Sequence, residues 1–176
     1  MSGLKDMMGS ICRQELEDLS AELQRRRELL ETLSSGSALR AARLTGMPKA
    51  PRGSTQARFE ADRIGAKLAI QSKINRLEQM IMDRITVITD HDDEILHARE
   101  KALLLRMRYL ECKGWTEIQE ALFGREPDYE QKYQSYKRCM FRLLNAACAD
   151  VWAFWSKRTP SEPRERTDNE QTKKTT

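Results

Sequence analysis

Leu103 to Gly124 reads LLLRMRYLECKGWTEIQEALFG. An apolar run, a Lys-Gly-Trp corner and a second short apolar run follow one another without a spacer. Upstream, Ile95, Ala98, Ala102, Leu105 and Tyr109 recur at helical spacing, which predicts a helix over 94–111 with one buried stripe. Lys113-Gly114 should stop it, because glycine accepts the left-handed or extended backbone that a sharp corner needs. A second helix is expected at once, with Gly114 or Thr116 as N-cap and Thr116 with Gln119 as a capping box. Ile118, Ala121 and Leu122 would give it a buried side, and Gly124 would end it.

Working outward, Asp128 is expected to cap a third helix. In it Tyr133, Tyr136, Met140, Leu144, Ala147 and Val151 fall three and four apart and define one apolar face. Gln131, Gln134, Ser135, Arg138 and Arg142 fall on the other, flanked by Lys132 and Lys137. Helix, tight corner, short helix, second corner and long polar-faced helix is the order of a helix-turn-helix. Glutamine suits adenine edges and arginine suits guanine edges, so these seven residues are the candidate DNA contacts. An ordinary three-helix bundle with a solvated polar face fits the same pattern.

The N-terminal half carries two seams. Leu16, Leu23 and Leu30 repeat every seven residues, as do Leu19, Arg26 and Leu33. Ile70, Ile74, Leu77, Ile81 and Ile88 do likewise in a helix expected from near Ser54 to near Thr89, with Arg84 in one slot. Between them, Ser, Gly and Pro punctuate a basic loop over 34–57 carrying Arg40, Arg43, Lys49 and Arg52. It is either a solvated linker or a contact to nucleic acid or an acidic partner. The seams predict a coiled-coil-like hairpin closed within one chain, and they are also compatible with dimerisation. The fold expected is all-α: a hairpin over 1–93, a helix-turn-helix domain over 94–158 able to fold alone, and a disordered polar tail over 159–176.

The composition narrows the partners. Charged residues are 33% and mean hydropathy is -0.71, the profile of a helical protein with much solvated surface. The whole formal excess of +4 lies between Lys101 and Arg158, the segment that holds the helix-turn-helix pattern. No apolar run reaches the roughly 20 residues of a membrane span, and no secretory signal opens the chain, so a cytoplasmic protein without a membrane partner is expected. The four cysteines form no C-x-x-C pair and are expected to be free thiols. His91 and His97 flank Asp92, Asp93 and Glu94 at no standard metal-ligand spacing. No Gly-rich phosphate loop or Ser/His/Asp arrangement is present, so no catalytic residue, metal, cofactor or enzymatic activity is expected.

Leu103–Leu122 resembles the helix-turn-helix of sigma-factor region 4, with its L-R-x-R-Y-x-E-G-x-x-W-x-E-I-A run. The layout upstream, with Leu44–Pro48 reading LTGMP, resembles small phage proteins of Gram-positive bacteria, the RinA and ArpU late transcriptional regulators. The resemblance runs over roughly Leu16–Leu144. It implies DNA binding and control of phage or prophage transcription, with RNA polymerase as a possible further partner and a monomer or homodimer as the working unit. It also implies that Ile118 is the core residue of the bracing helix, that Trp115 packs at the corner and that Tyr133–Leu144 is the recognition stretch. The second corner, FGREPD, is longer than the family's. It brings Glu126, Asp128 and Glu130 to the start of the recognition helix, where carboxylates repel phosphates. Base reading is therefore expected one turn later, at Gln134, Ser135 and Arg138. A DNA-binding phage assembly protein, such as a small terminase subunit, is the alternative; a ring of many copies would distinguish it.

Overall fold

The computed structural model describes the backbone of residues 2–43 and 55–156, and the side chains of 7–35 and 59–156. Over these residues the chain is all-helical. The elements are α1 (Ser2–Arg43), α2 (Thr55–Asp90), α3 (Ala98–Leu105), α4 (Trp115–Phe123) and α5 (Tyr133–Trp155). None of the described helices is long and apolar enough to cross a membrane.

α1 runs farther than its sequence suggests. Ser34 and Ser35 stay helical by donating their hydroxyls to the carbonyls of Leu30 and Glu31, at 2.8 and 3.0 Å. A single Gly36 costs a helix only about 1 kcal/mol, too little to end one this long. The expected loop over 34–57 is therefore helical through Arg43 and again from Thr55. The LTGMP residues and the tail over 159–176 lie outside the described residues, as do the side chains of Arg40, Arg43, Lys49 and Arg52.

The seams are buried. Leu16, Leu23, Ile81 and Ile88 are fully enclosed and Ile70 and Ile74 nearly so, while Leu19, Leu30, Leu33 and Leu77 pack at the edges. Each charged interruption has a partner. Arg26 reaches Glu22 at 2.6 Å, and Arg84 reaches Glu15 at 3.5 Å and lies 5.0 Å over the Trp155 ring. Arg27, outside the seam, ties the layers together by donating to Glu78 at 2.7 Å and to the Leu110 carbonyl at 3.0 Å.

α1 does not belong to α2 alone. Its most extensive contacts are with α5, then with α2. Cys12 and Leu16 of α1 share one core with Leu144, Ala147 and Cys148 of α5. Position 93 therefore does not separate two cores, and residues 94–158 cut from α1 would expose the buried face of α5.

The stripe Ile95, Ala98, Ala102, Leu105 and Tyr109 is buried throughout. The helix carrying it starts later than residue 94, because His97 takes the left-handed conformation (φ 58°) and residues 91–97 form turns. His91 stacks on Phe154 with ring centroids 4.3 Å apart. At its far end α3 widens into a π-helical turn, Arg106–Leu110, closed by Glu111 N–H donating to the Arg106 carbonyl at 3.0 Å.

At the corner Gly114, one of the two expected caps, is the extended N-cap of α4, while the left-handed position falls to Cys112 (φ 55°) rather than to the glycine. Glu117, rather than Gln119, closes the cap by accepting the Gly114 N–H at 2.8 Å. Glycine has no side chain to return the bond, so only half a capping box forms.

Candidate nucleic-acid interface

α5 is rooted by its C-terminal half. Met140, Leu144, Ala147, Cys148 and Val151 are buried, and Lys101 of α3 meets Asp150 at 2.7 Å. α4 and the corner brace the other half. Ile118 is fully buried, as the resemblance implies, and Trp115 packs against Phe141 with centroids 5.0 Å apart. Arg108 lies 4.3 Å over the Trp115 ring and donates to the Lys113 carbonyl at 3.2 Å, which fixes the corner.

Two contacts from α4 hold α5 at its start. Gln119, 1% exposed, donates to the Tyr133 carbonyl at 3.0 Å, so a buried amide joins α4 to the first turn of α5. Phe123 stacks on Tyr136 with centroids 5.1 Å apart. Tyr133 and Tyr136 are only half-buried, unlike the rest of the apolar face assigned to them.

α5 begins at Tyr133, not near Asp128. The Asp128 carboxylate does not cap the helix. It accepts the Tyr136 hydroxyl at 2.6 Å and pairs with Lys132 at 2.5 Å. Lys132 first, then Tyr136, holds the Asp128 carboxyl below the usual carboxylate range; in return Asp128 raises Lys132 and pushes Tyr136 up to about 12.

The seven candidate contacts thus divide. Gln131 and Lys132 lie in the turn before α5, with Lys132 engaged by Asp128. Gln134, Ser135, Lys137, Arg138 and Arg142 lie on the first three turns of the helix, and all are exposed. Gln134, Ser135, Arg138 and Arg142 fall within one stripe opposite Met140, Leu144 and Val151, and Lys137 lies beside it. Among the described residues no carboxylate pairs with Lys137, Arg138 or Arg142. A cleft of about 410 Å³ beside Gln131 is lined by Glu120, Glu126 and Glu130, which makes the approach to the start of α5 acidic.

Sequence reasoning missed Gln119 and the Asp128–Tyr136–Lys132 cluster. The signal for Gln119 was its place at the edge of the Trp115–Ile118–Leu122 stripe, where a polar group needs a partner. No local rule joins Asp128 to a tyrosine eight residues on.

A chain with this arrangement can present a flat row of amide, hydroxyl and guanidinium donors on a rigid helix. It offers no nucleophile–base pair on that face, and among the described residues no group of three or more His, Cys, Asp or Glu side chains is placed to hold a metal ion. No protein-family model, curated protein or solved structure matches the chain.

Proposed function

We propose that the chain is a non-enzymatic, sequence-specific binder of double-stranded DNA that regulates transcription of phage or prophage genes. In this reading α3, the corner, α4 and α5 act as a helix-turn-helix. α5 lies in the major groove, and the α1–α2 hairpin backs it. The observation that carries the reading is the exposed Gln134/Ser135/Arg138/Arg142 stripe, whose cations no described carboxylate neutralises. The acidic cleft beside Gln131 favours the turn of Gln134 and Arg138 over the start of the helix for base contacts. The phage setting and the RNA polymerase partner rest on the resemblance to RinA and ArpU regulators alone.

The test is selection of duplexes from a random library by the full chain, followed by a salt titration of the preferred site. Each phosphate neutralised adds about −0.9 to the log–log slope. Arg138→Ala should cost ~1–3 kcal/mol at one base position and relax preference there. Lys137→Ala should weaken all duplexes alike. No enrichment at low salt would end the proposal.

A second reading, a DNA-binding assembly protein, is favoured by one observation. Phe59, Ile64 and Leu68 on the N-terminal part of α2 are 58–69% exposed. A ring of many copies in solution, seen by light scattering, would select it; a monomer or dimer would select the regulator.

A further inference from the structure

α1 and α5 meet where their side chains are small. A Cβ placed on Gly9 would stand 3.5 Å from the Ala149 Cβ and 3.5 Å from the Asn145 carbonyl oxygen. One turn along α1 lies Cys12, and next to Ala149 on α5 lies Cys148. Both are free thiols, 2% and 0% exposed, in the same core cluster. Each thiol bears most strongly on the other: Cys148 draws the Cys12 thiol below its ordinary range, while Cys12 and then burial push the Cys148 thiol up. Tyr109 lies close enough for Cys148 to help raise its phenol, after burial; its hydroxyl has no hydrogen-bond partner among the described residues. Close helix approach through small residues is what a disulfide needs, since its Cα atoms stand only about 4.4–6.8 Å apart. The other two cysteines lie elsewhere, Cys112 against Ser20 at 3.6 Å and Cys139 exposed on α5.

We propose that Cys12 and Cys148 form a reversible redox pair that closes into an intramolecular disulfide and pins α1 to α5. The co-reactant is a low-molecular-weight disulfide, RSSR. The Cys12 thiolate attacks one of its sulfurs, the S–S bond breaks, and RS⁻ leaves with the electron pair and takes up a proton. Cys148, losing its own proton, then attacks the Cys12 sulfur of the mixed disulfide and expels the second RS⁻, which is protonated in turn. Two protein thiols and RSSR become one protein disulfide and two RSH; the protein gives up two electrons and two protons. Both sulfurs are enclosed, so the bond forms as the N-terminal turns of α1 open, more slowly than the exposed Cys139 reacts. The pair does not depend on the DNA reading.

The experiment uses the full-length Cys112→Ser/Cys139→Ser variant, which keeps both core thiols and leaves the core untouched. It is incubated with oxidised glutathione, unfolded and alkylated. The expected result is a monomer lighter by two hydrogen atoms, no thiol left to alkylate, one cross-linked peptide joining Cys12 to Cys148, and a thermal midpoint above that of the reduced form. Reduction with dithiothreitol should restore two alkylatable thiols and the lower midpoint. Two alkylatable thiols after oxidation, a bond between two chains, or a midpoint that does not rise would each overturn the proposal.

Discussion

The two halves of α5 are held by different forces. From Met140 to Val151 one face of the helix is buried against α1, α2 and α3, and its stability there is hydrophobic. From Tyr133 to Cys139 it is held by a few directed contacts: Gln119 to the Tyr133 carbonyl, Phe123 against Tyr136, and Asp128 on the Tyr136 hydroxyl. A helix rooted at one end can present a polar face at the other without that face contributing to the core. Substitutions should accordingly separate stability from recognition along a single helix.

The largest effect belongs to the rooted half. Leu144→Ala should destabilise the protein by ~2–5 kcal/mol in urea unfolding, since Leu144 is fully buried. Leu23→Ala should do the same at the other end of the core, and at every protein concentration alike if the seam closes within one chain. A midpoint that climbs with concentration would instead make that seam an oligomer interface, and would favour the assembly reading.

A smaller effect belongs to the braced half. Arg138→Ala should change unfolding stability by no more than about 0.5 kcal/mol, as an exposed side chain with no described partner, while altering site preference as proposed above. If it unfolds the protein as Leu144→Ala does, the division of α5 into root and reader is wrong.

The smallest effect is on the start of the helix. Asp128→Asn should return the Tyr136 phenol from about 12 toward its ordinary value of about 10, read from tyrosinate absorbance. The direction of the linkage follows from each shift. Asp128, held low in the folded state, contributes above its unfolded pKa, and that contribution is lost as pH falls through the lower folded value. Tyr136, held high, contributes below about 10, and its contribution is lost as pH rises through about 12. An unaltered Tyr136 titration in Asp128→Asn would show that the hydroxyl bond does not persist in solution.

Much of the helical pattern was legible because burial repeats at helical spacing. Leu16, Leu23, Ile74, Ile81 and Ile88, and the stripe from Ile95 to Tyr109, are buried where periodicity placed them. Which helices meet was not legible: a seven-residue repeat says that α1 needs a partner, not that α5 covers it as extensively as α2. Boundaries failed where a side chain had two uses. Ser34 and Ser35 look like breakers but bond back into their own helix. Asp128 looks like a cap but is taken by Lys132 and Tyr136. On the candidate face, exposure of Gln134, Ser135, Arg138 and Arg142 followed from their angular positions, whereas the engagement of Lys132 depended on a fold of the turn that no spacing encodes.

The π-helical turn at Arg106–Leu110 sets a phase. It holds one more residue in its loop than an α-turn would, and everything after it, from the Cys112 corner to the polar face of α5, is aimed by that extra residue. Each residue of an α-helix advances the chain by about 100° around its axis. Deleting one residue from this turn would shorten the chain hardly at all, yet it would swing the corner by about that angle and point α5 away from the side of the molecule it now faces. The direction in which the protein presents its polar face is therefore a count, kept by five residues that are not part of the face itself.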